Sequence, residues 1–131
     1  MHGEPFLKRI LKQKTRVMQN TFNWTRLNGA PITRPMEVEV AQVLAHELEM
    51  GHELKACIGT DSQVKGRRID FATVVVFIRK GKGGFMYIHN ETVTQRMTIK
   101  QRMLTEVHKS IGVAYSICNI FSRLGVEMEV H

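Results

Sequence analysis

A chain of 131 residues and 15.0 kDa, 43% apolar and 24% charged, has the size and balance of one compact domain, which excludes a second full domain. Such a chain buries enough surface to need neither a disulfide framework nor a structural zinc, so Cys57 and Cys118 read as reduced, buried thiols. No apolar run approaches the ~18 residues that cross a bilayer, and the opening MHGEPFLKRILKQKTR lacks the apolar core of a signal peptide. A cytoplasmic protein with no membrane partner is expected.

The net charge of +7 suggests a polyanionic partner, and its distribution is uneven. Residues 1–34 carry seven basic residues (Lys8, Arg9, Lys12, Lys14, Arg16, Arg26 and Arg34) against Glu4, whereas residues 35–131 are nearly neutral. The first segment is therefore a basic arm and linker, either a solvated leader or an arm that contacts nucleic acid through Lys8, Arg9 and Lys12. The domain proper is expected over 35–131.

Within the arm, Phe6, Ile10, Leu11 and Met18 predict a short amphipathic helix from Pro5 to about Met18. The Asn-, Gly- and Pro-containing stretch 19–35 reads as an irregular linker anchored by Phe22 and Trp24. Trp24 reads as a packing anchor more readily than as a base-stacking platform. After Pro35, the apolar spacing of Met36, Val38, Val40, Ala41, Val43, Leu44 and Leu48, with Glu37 and Glu39 in the first turn and Gly51 as a stop, predicts a helix over about 36–50. Its AHELEMGHEL end is not a zinc-protease motif. A helical zinc pair needs histidines at i and i+4, and His46 and His52 are six apart with Gly51 between them.

From Leu54 the period changes. LKACIGT (54–60), RIDFATVVVFIRK (68–80) and FMYIHNETVT (85–94) read as strands, the last two joined by the five-residue hairpin loop KGKGG, so an antiparallel meander is expected. KGKGG is not a phosphate loop, because it leads into a strand and lacks the Lys-Ser/Thr ending. Thr98 with Gln101 forms a capping-box pattern opening a helix of about 26 residues that stops at Gly125. Met103, Leu104, Val107, Ile111, Ala114, Ile117, Cys118, Phe121 and Leu124 should cover the sheet. The closing VEMEVH alternates, with Glu127, Glu129 and His131 on one side, and reads as a strand. A right-handed crossover would set it parallel to the first strand of the meander.

Two acids carry the chemistry. Asp61, in IGTDSQ, stands just past the predicted end of an apolar strand, where ligand sites of mixed sheets form, although a turn aspartate is the simpler alternative. Glu106 lies early in the long helix, at the border of the sheet-facing stripe. Carboxylates without a neighbouring base suit Mg²⁺ or Mn²⁺ as hard oxygen ligands. Neither His89 nor His108 has a cysteine or a second histidine at zinc-ligand spacing in the sequence.

The order of strand with Asp, two antiparallel strands, a helix bearing Glu near its start and then a parallel strand resembles a ribonuclease H-like domain. More narrowly, IGTDSQ, FATVVVFIRKGKGG and RMLTEVHKSI resemble the YkuK-type family of predicted ribonuclease H-related nucleases, over about residues 36–131. The resemblance implies an α/β fold with a mixed sheet whose third, second, first, fourth and fifth strands lie side by side in that order. It also implies Asp61 and Glu106 as catalytic metal ligands. The family pattern sets another aspartate on the fourth strand, and this chain ends at His131 with that strand still running, so either a truncated form of a longer protein or a shortened relative with an incomplete metal site is expected.

The resulting expectation is a Mg²⁺- or Mn²⁺-dependent nuclease acting on RNA or DNA, with Lys65, Arg67 and Arg68 gripping phosphates beside Asp61. The alternatives are a non-catalytic nucleic-acid-binding module and a protein-interaction domain whose exposed last strand pairs with another chain, including a second copy.

Overall fold

The computed structural model describes residues 23–131. The amphipathic helix expected over 5–18, with Lys8, Arg9 and Lys12, lies outside the described residues. These form, in chain order, β1 (Trp24–Arg26), α1 (Met36–Glu49), β2 (Leu54–Lys65), β3 (Arg68–Arg79), β4 (Gly84–Val93), α2 (Ile99–Leu124) and β5 (Glu127–Val130).

The β-branched and aromatic alternation from Leu54 produces the meander. β2 pairs antiparallel with β3 along its whole length, from Leu54↔Arg79 to Lys65↔Arg68, and β3 pairs antiparallel with β4. β2 is longer than the sequence suggests. Its polar second half, Asp61 to Lys65, pairs with the apolar strand opposite, and tertiary pairing overrides the weak strand propensity of Asp and Ser. Gly66, at φ +63°, and Arg67 then make a tight turn. The second loop spans residues 80–83, because Gly84 already pairs with Ile78.

β5 lies parallel to β2, with Lys55 opposite Glu127 and Ile58 opposite Val130, as a crossover through α2 requires. The sheet order is β1-β4-β3-β2-β5. The four strands from Leu54 onward therefore occupy the places that the resemblance implies for the first four. The fifth strand differs: it comes from upstream and joins the opposite edge, with Trp24 opposite His89. The supposed linker is thus part of the fold. Trp24 and Ile32 are buried in the core, and Ile32 N–H donates to Trp24 O at 2.8 Å.

One face of the sheet carries the core, where Ala56, Ile58, Val75, Phe77 and Tyr87 meet Val40 and Leu44 of α1 and Ala114, Ile117 and Phe121 of α2. α2 begins with the Thr98/Gln101 capping box and ends at Gly125 in the left-handed conformation, φ +69°. It runs back along β2 in step. Glu106 stands over Ser62 and Ser110 over Thr60, since one helical turn of about 5.4 Å nearly matches two strand residues of about 6.6 Å. Its first turns overhang that contact. Met103, Leu104, Val107 and Ile111, expected against the sheet, are exposed, and the buried residues of α2 are Ser110, Ala114, Ile117 and Phe121.

Candidate functional site

Successive strand residues point to opposite faces, and this places every candidate on β2. Ser62 faces α2, with Ala56 and Ile58, and is buried; Asp61 faces the other way and is exposed. Asp61 therefore lies inside the strand, opposite Ala72, and not beyond its end as the sequence suggests.

Ser62 joins the two acids. Its backbone N–H donates to Asp61 Oδ1 at 2.9 Å, and its hydroxyl donates to Glu106 Oε2. Arg102, one turn before Glu106, donates from Nε to Ser62 Oγ and from Nη2 to Ser62 O, both at 3.2 Å. The second contact has a structural cause. β5 stops opposite Ile58, where His131 N–H donates to Ile58 O at 2.8 Å. Beyond that point no described strand covers this side of β2, and the guanidinium takes up a carbonyl that a neighbouring strand would otherwise occupy.

On the helix-free side, Asp61, Gln63, Lys65, Arg68, Asp70, Ala72, Asn90 and Thr92 contribute to a groove of about 490 Å³. Asp70 is diagonal to Asp61, since their cross-strand partners are Gln63 and Ala72. Thr92 Oγ1 donates to its Oδ1 at 2.7 Å, and Lys65 Nζ and Arg68 Nε lie 3.4 and 3.7 Å from its oxygens. The Thr92 hydrogen bond, followed by the Arg68 and Lys65 charges, holds the Asp70 carboxyl below the usual aspartate range. Arg67 is exposed at the tip of the β2–β3 turn.

Asp70, Asn90, Thr92 and Arg102 were not singled out in the sequence. Once β2 is known to reach Lys65, register alone brings Asp70 beside Asp61; nothing in local sequence announces Arg102. Two of the arm's cations are also reassigned. Arg26 and Arg34 both reach Glu39, which is 2% exposed: Arg34 Nε donates at 2.8 Å and Arg26 Nη2 at 3.4 Å, alongside Tyr87 Oη at 2.6 Å. They stabilise a buried carboxylate inside the domain. The histidine pair of AHELEMGHEL is separated as expected, since His46 is on α1 while His52, past its end, contacts Glu47 Oε2 through Nδ1 at 2.5 Å.

Asp61 and Glu106 meet Ser62 from opposite sides of β2, and carboxylate oxygens are the donors that a hard divalent cation takes. Asp61 Oδ2 and Glu106 Oε1 make no hydrogen bond to another described residue, and both are carboxylate oxygens.

An antiparallel meander, a crossover helix bearing an acid and a parallel last strand beside the acid-bearing strand define a mixed α/β domain with acids at an open edge. The model of the ribonuclease H-like family matches residues 38–131, most of the chain, and the chain belongs to that family. No curated protein and no solved structure matches it. Among the described residues no helix is long and apolar enough to cross a membrane.

Proposed function

We propose that the protein is a divalent-metal-dependent nuclease of YkuK type that hydrolyses phosphodiester bonds of RNA or DNA. The observation that carries this reading is the convergence of Asp61 and Glu106 on Ser62 within a ribonuclease H-like domain. Asp61 Oδ2 and Glu106 Oε1 are the atoms that would hold Mg²⁺ or Mn²⁺. Such an ion, when bound, supplies Lewis acidity toward a phosphodiester and lowers the pKa of water. The chain's own residues do the rest. Ser62 fixes one oxygen of each acid, leaving the other to the ion, and Lys65, Arg67 and Arg68 present positive charge to the phosphates of a strand lying along the helix-free groove.

A second reading has its own support. Arg102 sets a guanidinium against Ser62, where it competes electrostatically with a cation at the same edge, and this favours a non-catalytic nucleic-acid-binding module.

Incubation of the full chain with labelled single- and double-stranded RNA and DNA, with Mg²⁺, Mn²⁺ or chelator, separates the two. The nuclease reading expects cleavage that chelator, Asp61→Asn and Glu106→Gln each abolish. It also expects a metal-dependent rise in melting temperature that Asp61→Asn removes. Salt-sensitive binding without cleavage, and without a thermal response to metal, establishes the binding module instead.

A further inference from the structure

On the helix-free face, at the other end of the β2–β5 pairing, a second group of donors has chemistry of a different kind. The parallel register sets Cys57 beside Glu129, and a strand projects residues i and i+2 to the same side, so His131 joins Glu129. The Cys57 sulfur, a Glu129 oxygen and a His131 ring nitrogen all lie within 4.8 Å of one another. We propose that Cys57, Glu129 and His131 form a binding site for a thiophilic divalent cation, Zn²⁺, held by three protein ligands with the fourth position open to solvent.

The distances are near those a tetrahedral zinc demands. Bonds of about 2.0–2.1 Å to nitrogen and oxygen and 2.3 Å to sulfur put neighbouring ligand atoms about 3.3–3.6 Å apart. His131 Nε2 and Glu129 Oε2 are already 3.4 Å apart. Glu129 and His131 are exposed and Cys57 is half-buried, so rotation of two surface side chains closes the remaining gap without moving the sheet. Gly59, the next residue of β2 on this face, adds no side chain beside His131, whose Cβ lies 4.0 Å from the position a Gly59 Cβ would take.

Lys55 completes the arrangement. Its Nζ donates to Glu129 Oε1 at 2.7 Å, which orients the carboxylate and leaves Oε2 toward the imidazole. Thiolate with imidazole selects zinc over magnesium or manganese, which prefer oxygen donors. The site is therefore chemically distinct from the Asp61–Glu106 edge and independent of the nuclease reading. Folding does not require the ion; once bound, it ties the short edge strand β5 to the long strand β2.

The test uses the full chain, freed of metal and kept reduced, titrated with Zn²⁺ against a chromophoric chelator and separately with Co²⁺. One equivalent of Zn²⁺ should bind, raise the melting temperature and remain bound in excess Mg²⁺. Co²⁺ should develop the near-ultraviolet charge-transfer band of a thiolate ligand. Cys57→Ser should abolish the band and weaken Zn²⁺ at least tenfold, Glu129→Gln and His131→Ala should each weaken it at least tenfold, and Cys118→Ser should change nothing. The two surface variants keep the test decisive should Cys57→Ser fold poorly. Absence of the band in wild type, or Zn²⁺ affinity unchanged in Glu129→Gln and His131→Ala, overturns the proposal.

Discussion

Arg79, the last residue of β3, grips Glu47 near the end of α1 with two parallel hydrogen bonds, Nε to Oε2 at 2.8 Å and Nη2 to Oε1 at 2.7 Å. The Arg79 contact, helped by His52 against the opposing effect of burial, holds the Glu47 carboxyl down to about 2 from its ordinary 4.5. A carboxyl lowered in the folded state stabilises fully above its unfolded pKa and loses that contribution as the pH falls through its folded pKa. Glu47→Gln should therefore cost about 2–3 kcal/mol at pH 6, and the gap from wild type should narrow as the pH falls from 4.5 toward 2. Chemical denaturation at several pH values measures this; a pH-independent gap would refute the assignment.

Glu39 is a buried carboxylate whose charge rests on three donors. Burial and the hydrogen bond to Glu39 push the Tyr87 phenol up, so it remains a donor throughout the accessible pH range. Tyr87→Phe deletes one of these donors with little change of shape. We expect a loss of about 1.5–3 kcal/mol, the usual range for hydrogen bonds to charged groups, read from the urea midpoint at pH 7.

Gly84 is required by space. A Cβ there would stand 2.3 Å from the carbonyl oxygen of Phe77, on the strand it pairs with. The obstacle is the backbone of β3 itself and cannot rotate away. Gly84→Ala should destabilise by about 1–3 kcal/mol, whereas Gly112→Ala, with no atom near the new methyl and a helical position, should be neutral or stabilising. Equal melting temperatures for the two variants would contradict the geometry.

In the groove, Asp70 partly neutralises Lys65 and Arg68. If these cations meet phosphates, Arg68→Ala should lower the slope of log K against log salt by about 1, and Asp70→Asn should tighten binding at low salt. Fluorescence anisotropy with a short oligonucleotide across a salt series reads both. Unchanged slopes would place the nucleic-acid contact elsewhere.

The meander, both helices and the parallel last strand are legible in the sequence because each is announced locally. The period shifts at Leu54, Thr98 and Gln101 form a capping box, Gly125 stops a helix, and VEMEVH alternates. β1 is not legible: three residues carry no alternation, and they become a strand only through β4, far along the chain. Asp61 and Glu106 stand out in the sequence as acids, but their shared contact with Ser62 does not. Which face Asp61 takes depends on where β2 ends, and the polar sequence DSQVK conceals five further residues of strand after Thr60. Helical periodicity likewise identified the apolar side of α2 without showing how far along it the sheet reaches, which left Met103 and Val107 exposed.

The sheet order also fixes a sequence of events in time. Its three central strands are chain neighbours joined by short turns, whereas both edges come from distant segments, Trp24 meeting His89 and Lys55 meeting Glu127. Closing a short loop sacrifices far less chain entropy than closing one of some sixty residues or more, so the hairpins β2–β3 and β3–β4 should assemble first and the edges dock last. Native-state hydrogen exchange should show the converse on opening. Amides of β1 and β5 should exchange through small local fluctuations, while those of Val75 and Phe77 in β3 should exchange only with global unfolding. Slow exchange is thus expected at the centre of the meander, and the Cys57–His131 donors lie on the edge that opens early.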